Sequence, residues 1–283
     1  MRCRFAFPAL PRGAVGLRIR YAWPSMHRRL LYAGSPKWAA LIEQADQLMD
    51  SPAFRVVKAE GKTLAGFLSN PDSPAVFIKR NEVRSLLNGY SQMAAGSRAS
   101  RALRGAKMLR EAGFHCATPL AAMDATSAGA VRASYLISEA LERALVLSHF
   151  ALGREGEARH GYARRKAVSD AFAAELRRLH DAGIYTRDLQ ETNIMVEERD
   201  GAMWFYFLDL EDFRRAPSVS HRRRMLNLVH LDRSIGRFVS RAGRLDFLYA
   251  YLGRQPDRNA RRRAVAEYLD LRRTVERAHN RRA

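Results

Sequence analysis

Residues 54–82 run as three extended pieces, "FRVVKA", "TLAGFLS" and "AVFIKR", separated by Glu60-Gly61-Lys62 and by "NPDSP". Two-residue alternation punctuated by Gly, Pro, Asn and Asp marks hairpins of an antiparallel sheet. From about Leu141 the period changes: "AVSDAFAAELRRLHDAG" sets Phe172, Leu176 and Leu179 on one helical face and stops at Gly183. Strands gathered in front and helices behind leave an α+β plan of two lobes, each with its own layer to bury.

The remaining segments fill that plan. "SPKWAALIEQADQLMD" (Ser35 to Asp50) reads as a capped amphipathic helix covering a lobe, and "SRASRALRGAKMLREA" as a helix closed by Gly113. "FHCATPLAAM" and "ASYLISEAL" add two strand-like pieces. The N-lobe is therefore an antiparallel sheet with one crossing helix, over 35–139. The C-lobe, over 140–283, is mainly helical, with "MWFYFLDLEDF" as an extended exception and basic helices around "MLNLVHLDRSIGRFV" and "RRRAVAEYLDLRRTVERA". Residues 1–34 read as a poorly ordered N-terminal segment.

Composition excludes several classes. The 47% hydrophobic content is ample for a core, and two cysteines, Cys3 and Cys116, are too few for a disulfide framework or a zinc site, as in a reducing compartment. The longest apolar runs, such as "WFYFL", fall far short of the ~20 residues that cross a bilayer. The first twenty residues, broken by Pro8 and Pro11 and flanked by arginines, make a poor secretory signal and resemble an over-extended start ahead of Met26. The expected location is cytoplasmic. The formal charge is +20, and residues 213–283 hold nineteen arginines, no lysine and six acids, a net +13. Such an end seeks anions: nucleic acid, an anionic membrane surface or a phosphorylated substrate. For any single arginine a solvated surface is the commoner role.

Chemistry-bearing residues are few. Only six lysines occur, and Lys79 ends the apolar strand "AVFIK". A compact ammonium there suits a phosphate oxygen; the plain alternative is a lysine guarding an edge strand. In "HDAGIYTRDLQETNIMV", Asp188 follows a helix and Asn193 precedes an apolar strand. Asp188 can accept a hydroxyl proton while Asn193 coordinates a magnesium ion, or both can satisfy a polar turn. Sixteen residues on, Asp209 ends an aromatic strand, with Glu211 and Asp212 directly after it. A hairpin through "EERDG" would make Asn193 and Asp209 neighbours. Three close carboxylates invite a divalent cation, or else pair with Arg214 and Arg215.

Taken together, "VFIKR", "SRASRALRGAKMLREAGFHCATPL", "SYLISEAL", "LHDAGIYTRDLQETNIMV", "FLDLEDF" and "RMLNLVHLDRSIGRF" occur in the order of parts of a protein-kinase-like phosphotransferase. From about Phe54 to Phe238 the chain resembles the lipopolysaccharide kinase (Kdo/WaaP) family, bacterial enzymes that phosphorylate sugars of the lipopolysaccharide core. The resemblance implies a two-lobed protein-kinase-like fold and, as cofactors, ATP and Mg2+. It also implies Asp188 as catalytic base, Lys79 on the ATP phosphates, Asn193 and Asp209 as magnesium ligands, and Glu139 and Ala140 of "SEA" as the hinge facing adenine. The implied partners are a lipopolysaccharide core or lipid A precursor and an anionic inner-membrane surface, with the protein peripheral at the inner face of that membrane and no nucleic acid.

Two positions and one missing motif depart from the pattern. Thr186 stands where kinases usually carry a bracing histidine, and Ala102 where a lysine-pairing glutamate often stands, with Glu82 or Glu111 as substitutes. No G-x-G-x-x-G is present; Gly61 and Gly66 are all the hairpin offers. The competing readings are a kinase acting on a small sugar, an aminoglycoside or a protein, a basic nucleic-acid-binding protein, and a scaffold that has lost catalysis.

Overall fold

A computed structural model of the chain describes residues 26–70, 73–153, 160–236, 238–253 and 257–280. They divide into two compact units, one of residues up to Ala106 with Ala117–Glu142, the other of Lys107–Cys116 with the chain from Arg143 onward.

In the first unit the chain runs β1 (His27–Ala33), α1 (Pro36–Glu43), α2 (Ala45–Met49), β2 (Phe54–Glu60), β3 (Thr63–Asn70), β4 (Ser73–Glu82), α3 (Leu86–Ala95) and most of α4 (Arg98–Glu111). After β5 (His115–Cys116), which belongs to the second unit, it returns with β6 (Pro119–Ser127) and β7 (Ala130–Glu139). The strands form one sheet in the order β1-β6-β7-β4-β3-β2, antiparallel throughout. Alternate residues Phe54, Leu68, Val76, Ile78, Met123, Tyr135 and Ile137 face one side, where α1 and α2 cover them with Ile42, Ala45 and Met49. Each such large side chain gains about 1.5–3 kcal/mol on burial.

Three expectations change here. The helix expected over 35–50 is two helices, because Gln44 leaves helical geometry at φ −93, ψ 8, and Ser35 makes no side-chain cap. The second piece is pinned by a polar contact in which the Tyr135 hydroxyl donates to both Asp46 oxygens at 3.0 Å and Arg80 pairs with the same carboxylate at 3.0 Å. Of the segment expected to be poorly ordered, 1–34, residues 1–25 lie outside the described residues, while His27–Ala33 is an outer strand of the sheet. It is held by its antiparallel ladder with β6, to which Arg28 adds a pair with Asp46 at 3.1 Å and Arg29 one with the fully buried Asp124 at 3.0 Å. Finally, α3 joins the one crossing helix that was expected; Ser85 caps it by accepting from Asn88 N.

In the second unit, β8 (Leu145–Val146), α5 (Leu147–Leu152) and α6 (Tyr162–Asp181) lead to β9 (Ile184–Thr186), β10 (Ile194–Arg199), β11 (Ala202–Phe207) and β12 (Phe213–Arg215). Helices α7 (His221–Ile235), α8 (Arg241–Leu252) and α9 (Arg258–Asn280) follow. Strands β5-β11-β10-β8 form a small sheet and β12-β9 a two-stranded one. The expected α6 stripe is the core: Phe172, Leu176 and Leu179 are buried, with Phe172 against Phe205 at 5.2 Å. Helix α9 buries Ala264 and Tyr268, and its Arg272 pairs inward with Asp232 at 3.3 Å. No described helix is long and apolar enough to cross a membrane.

Candidate active site

The β10–β11 hairpin positions two of the sequence candidates. Its two-residue turn, Asp200-Gly201, has positive φ at both positions (51 and 75), the turn whose twist matches that of the strands and which Asp-Gly supplies at low cost. That turn sets the register Ile194↔Phe207, and Leu208 N then donates to Asn193 O at 2.8 Å. Asn193 and Asp209 thus sit at one end of the hairpin, as the sequence required. Asp209 is half-buried and holds φ 53, ψ 52, one of three non-glycine residues with positive φ among those described. Left-handed backbone of this kind carries a local cost and is concentrated where a side chain has to be aimed.

Asp188 comes to the same end by another route. Strand β9 pairs with β12 through Thr186↔Phe213, and Arg187 N donates to Asp212 O at 3.4 Å, so the Asp188 loop runs beside the segment that follows Asp209. The buried Leu189, Ile194, Leu210 and Phe213 anchor both. The Asp188 carboxylate, half-buried, accepts from the Gln190 amide at 2.5 Å, and Asn193 Nδ2 donates to Asp188 O at 3.3 Å. That bond assigns the amide and leaves Asn193 Oδ1 as its acceptor. Asn193 therefore makes the local backbone contact of a polar turn, whereas Asp188 is met by a side chain. After Asp209, Arg214 donates to the backbone oxygens of Glu211 at 2.8 Å and Phe213 at 2.7 Å.

The loop is supported by Thr186, singled out as a departure, and beyond it by residues that sequence reasoning did not single out. Buried Thr186, in the usual histidine position, accepts from Asp188 N at 3.2 Å, and its own carbonyl accepts from Asn227 Nδ2 of α7 at 2.7 Å. Asn227 Oδ1 then accepts from His180 Nε2 at 3.0 Å, which leaves His180 Nδ1 to accept from the Tyr251 hydroxyl at 2.7 Å. Burial lowers the His180 pKa to about 4, against a smaller opposing contribution from the Asn227 bond, so the ring is neutral at pH 7. Further along, Glu191 N donates to Ser234 Oγ at 2.9 Å, and Ser148 Oγ donates to the buried Glu191 carboxylate at 3.1 Å. The available signal was Asn227 and Ser234 seven residues apart in α7, two polar residues on one helical face beside the buried Met225, Leu228 and Leu231.

The other candidates belong to the first unit. Lys79 lies on β4 between Ala65 of β3 and Leu136 of β7. An interior strand has no edge to guard, so that alternative falls. Alternation sets half-buried Lys79 with Phe77 on the face opposite Val76, Ile78 and Arg80. The same alternation disposes of Glu82 as its partner, since Glu82 shares the Arg80 face and bonds Arg80 at 2.5 Å. Glu111 is exposed and pairs with Lys107 at 3.8 Å, and Ala102 is buried in the α4 stripe. Gly66 serves packing: a Cβ there would stand 2.3 Å from Arg55 O. At the expected hinge, Glu139 N donates to Thr118 O at 3.0 Å and Ala140 N to Ala75 O at 3.3 Å, while the Glu139 carboxylate accepts from Thr118 N at 2.9 Å. Both backbone donors are engaged and Ala140 O accepts from Glu142 N at 2.9 Å, so an adenine contact at these residues falls to Glu139 O or to the second lone pair of Ala140 O.

No group of three or more His, Cys, Asp or Glu side chains among the described residues forms a metal cage. An amide oxygen with a carboxylate, Asn193 with Asp209, is instead the sparse oxygen set suited to Mg2+, which keeps waters and takes substrate phosphates as further ligands. The donor set fits the ion.

Comparison with known proteins bears on the family and the fold. The sequence pattern described as the Lipopolysaccharide kinase (Kdo/WaaP) family matches residues 77–251, more than half of the chain. No curated protein sequence matches it. A solved structure of WaaP in complex with acyl carrier protein is 19% identical, covering 88% of this chain and 98% of that one at a TM-score of 0.63. At that identity the likeness speaks to the protein-kinase-like fold. A Rio2 kinase–ADP/Mg2+–phosphoaspartate complex from Chaetomium thermophilum is 16% identical over 70% of this chain and 58% of its own, with a TM-score of 0.44 that supports no argument. With the two-unit fold and the extent of the family match both in hand, the chain belongs to the lipopolysaccharide kinase (Kdo/WaaP) family and is a kinase.

Proposed function

We propose that this kinase uses ATP and Mg2+ to phosphorylate a sugar hydroxyl, of Kdo or heptose, on the lipopolysaccharide core. The observation that carries the reading is the tie between the Asp188 loop and the Asp209 segment, made by Leu208 N on Asn193 O and by the β9–β12 pair. It sets a base candidate beside an amide–carboxylate pair. In this reading Asp188 orients the acceptor hydroxyl and takes its proton, and Lys79 neutralises charge on the phosphates. Asn193 and Asp209 would hold Mg2+, and the ion would supply charge screening at the transferred phosphoryl group. The backbone of Glu139 and Ala140 meets the adenine.

The arginine-rich end gives the acceptor a physical rationale. Residues 213–283 carry a net +13, a charge that would draw the protein to anionic lipid at the inner face of the bacterial inner membrane, or to a phosphorylated core sugar. The test incubates the protein with labelled ATP and three acceptor sets: lipopolysaccharide core precursors, free sugars or aminoglycosides, and a bystander protein. Label is expected in the core precursor alone and is expected to vanish on chelation of Mg2+. Label confined to another acceptor set, or transfer that survives chelation, refutes the assignment.

A further inference from the structure

We infer that α7 is the positioning element of the phosphotransfer loop, acting through Asn227 and Ser234 as two clamps on its backbone. The inference rests on the reading in which Asp188 and Asn193 carry the chemistry. The two side chains are seven residues apart and so share one face of the helix. Each meets the loop two residues before a candidate group: Asn227 Nδ2 donates to Thr186 O at 2.7 Å ahead of Asp188, and Ser234 Oγ accepts from Glu191 N at 2.9 Å ahead of Asn193. One clamp takes a carbonyl and the other an N–H, so each end of the loop is fixed by a bond of opposite polarity.

Both clamps are themselves oriented. Ser234 Oγ donates to Leu231 O of its own helix at 2.9 Å, which spends its hydrogen and turns a lone pair to Glu191. The Asn227 amide is fixed because its oxygen accepts from His180 Nε2, and that imidazole is fixed in turn by the Tyr251 hydroxyl. His180, Asn227, Thr186 and Tyr251 are all buried, so this relay is shielded from bulk water. Arg224, one turn before Asn227, bonds Asp181 at 2.6 Å and His180 O at 3.2 Å, tying the start of α7 to the end of α6. The helix is thus anchored before it reaches the loop. A loop of three-residue strand and single 3-10 turn has little regular structure of its own, and its geometry is set by these tethers. Displacement of a reacting group by about 1 Å costs up to about a hundredfold in rate, so the clamps bear on turnover rather than on nucleotide affinity.

The test compares full-length wild type with Asn227→Ala, Ser234→Ala, Ser234→Thr and Asp188→Asn, using labelled ATP, Mg2+ and a lipopolysaccharide core precursor. Melting temperatures and amide exchange of Glu191 are measured in parallel. In the expected result, Asn227→Ala and Ser234→Ala lower kcat by about 10- to 100-fold with the KM for ATP within about threefold of wild type. Ser234→Thr, which keeps the hydroxyl, restores kcat, and the Glu191 amide exchanges faster in Ser234→Ala than in Ser234→Thr. Should Asn227→Ala fail to fold, Ser234→Ala, which deletes a single oxygen atom, decides. The inference is overturned if Asp188→Asn is inactive while folded Ser234→Ala turns over at the wild-type rate, or if Ser234→Thr is as slow as Ser234→Ala. Equal activity of Asp188→Asn and wild type overturns the underlying assignment of the loop, and the clamps with it.

Discussion

Lys79 and Asp188 are held in place by opposite means. In the sheet unit, Lys79 occupies an uninterrupted ladder with a strand on either side, so its face is fixed by register alone. In the helical unit, Asp188 sits in a loop, Asn193 on a 3-10 turn and Asp209 at a left-handed residue; the Asp188–Asn193 loop is held by bonds from α7, and the short β9–β12 pairing ties it to the segment after Asp209. A strand places a side chain through repetition, which tolerates local change. A tethered loop places it through a few specific contacts, each of which matters.

Substitutions separate the two regimes. Asp209→Asn keeps a residue that tolerates left-handed backbone but removes the charge, so it is expected to lower phosphotransfer by about a thousandfold with little change in melting temperature. Equal rates would remove Asp209 from the site. Lys79→Ala is expected to lower kcat/KM by about a hundredfold, with an unchanged circular dichroism spectrum; loss of the spectrum would make Lys79 structural instead. Its neighbour Ile78, fully buried on the opposite face, gives the reverse outcome: Ile78→Ala costs about 2–5 kcal/mol in chemical denaturation and leaves the turnover of the folded protein near wild type. A fall in turnover of the folded fraction would show that the two faces of β4 are not independent.

A pH dependence of the tethered region is also expected. The His180 pKa is about 4 in the fold against 6.5 for the free side chain, chiefly through burial. Between those values the unfolded chain binds more protons, so the neutral ring stabilises fully above pH 6.5 and loses that stabilisation as pH falls toward 4. The shift corresponds to about 3 kcal/mol at most. Wild type is expected to lose stability over this window relative to His180→Gln; parallel pH profiles would show that the ring is not held neutral.

The same contrast explains what could be read from the sequence. The β2–β4 hairpins, the α6 stripe of Phe172, Leu176 and Leu179, and the Asp200-Gly201 turn depend on local pattern, and all are present. So is the adjacency of Asn193 and Asp209, because a tight hairpin turn fixes register. Contacts set by remote partners were not legible. Strand β1 fell in the segment expected to be poorly ordered because its partners are remote: it pairs with β6, and Arg29 meets its counter-ion at Asp124, 95 residues away. The support of Thr186 comes from Asn227, 41 residues on; the polar pair Asn227 and Ser234 on one face of α7 marks a contact but not the loop it reaches. The engaged N–H groups of Glu139 and Ala140 likewise reflect pairing with Thr118 and Ala75, which no short motif reports.

The central claim is that the Asp188 loop carries the phosphotransfer, and it is tested most directly by measuring nucleotide binding and labelled-phosphate transfer side by side in wild type and Asp188→Asn. The account predicts nucleotide affinity close to wild type with transfer reduced by about 10²–10⁴-fold, the range for loss of a general base. Transfer at the wild-type rate in Asp188→Asn would contradict it.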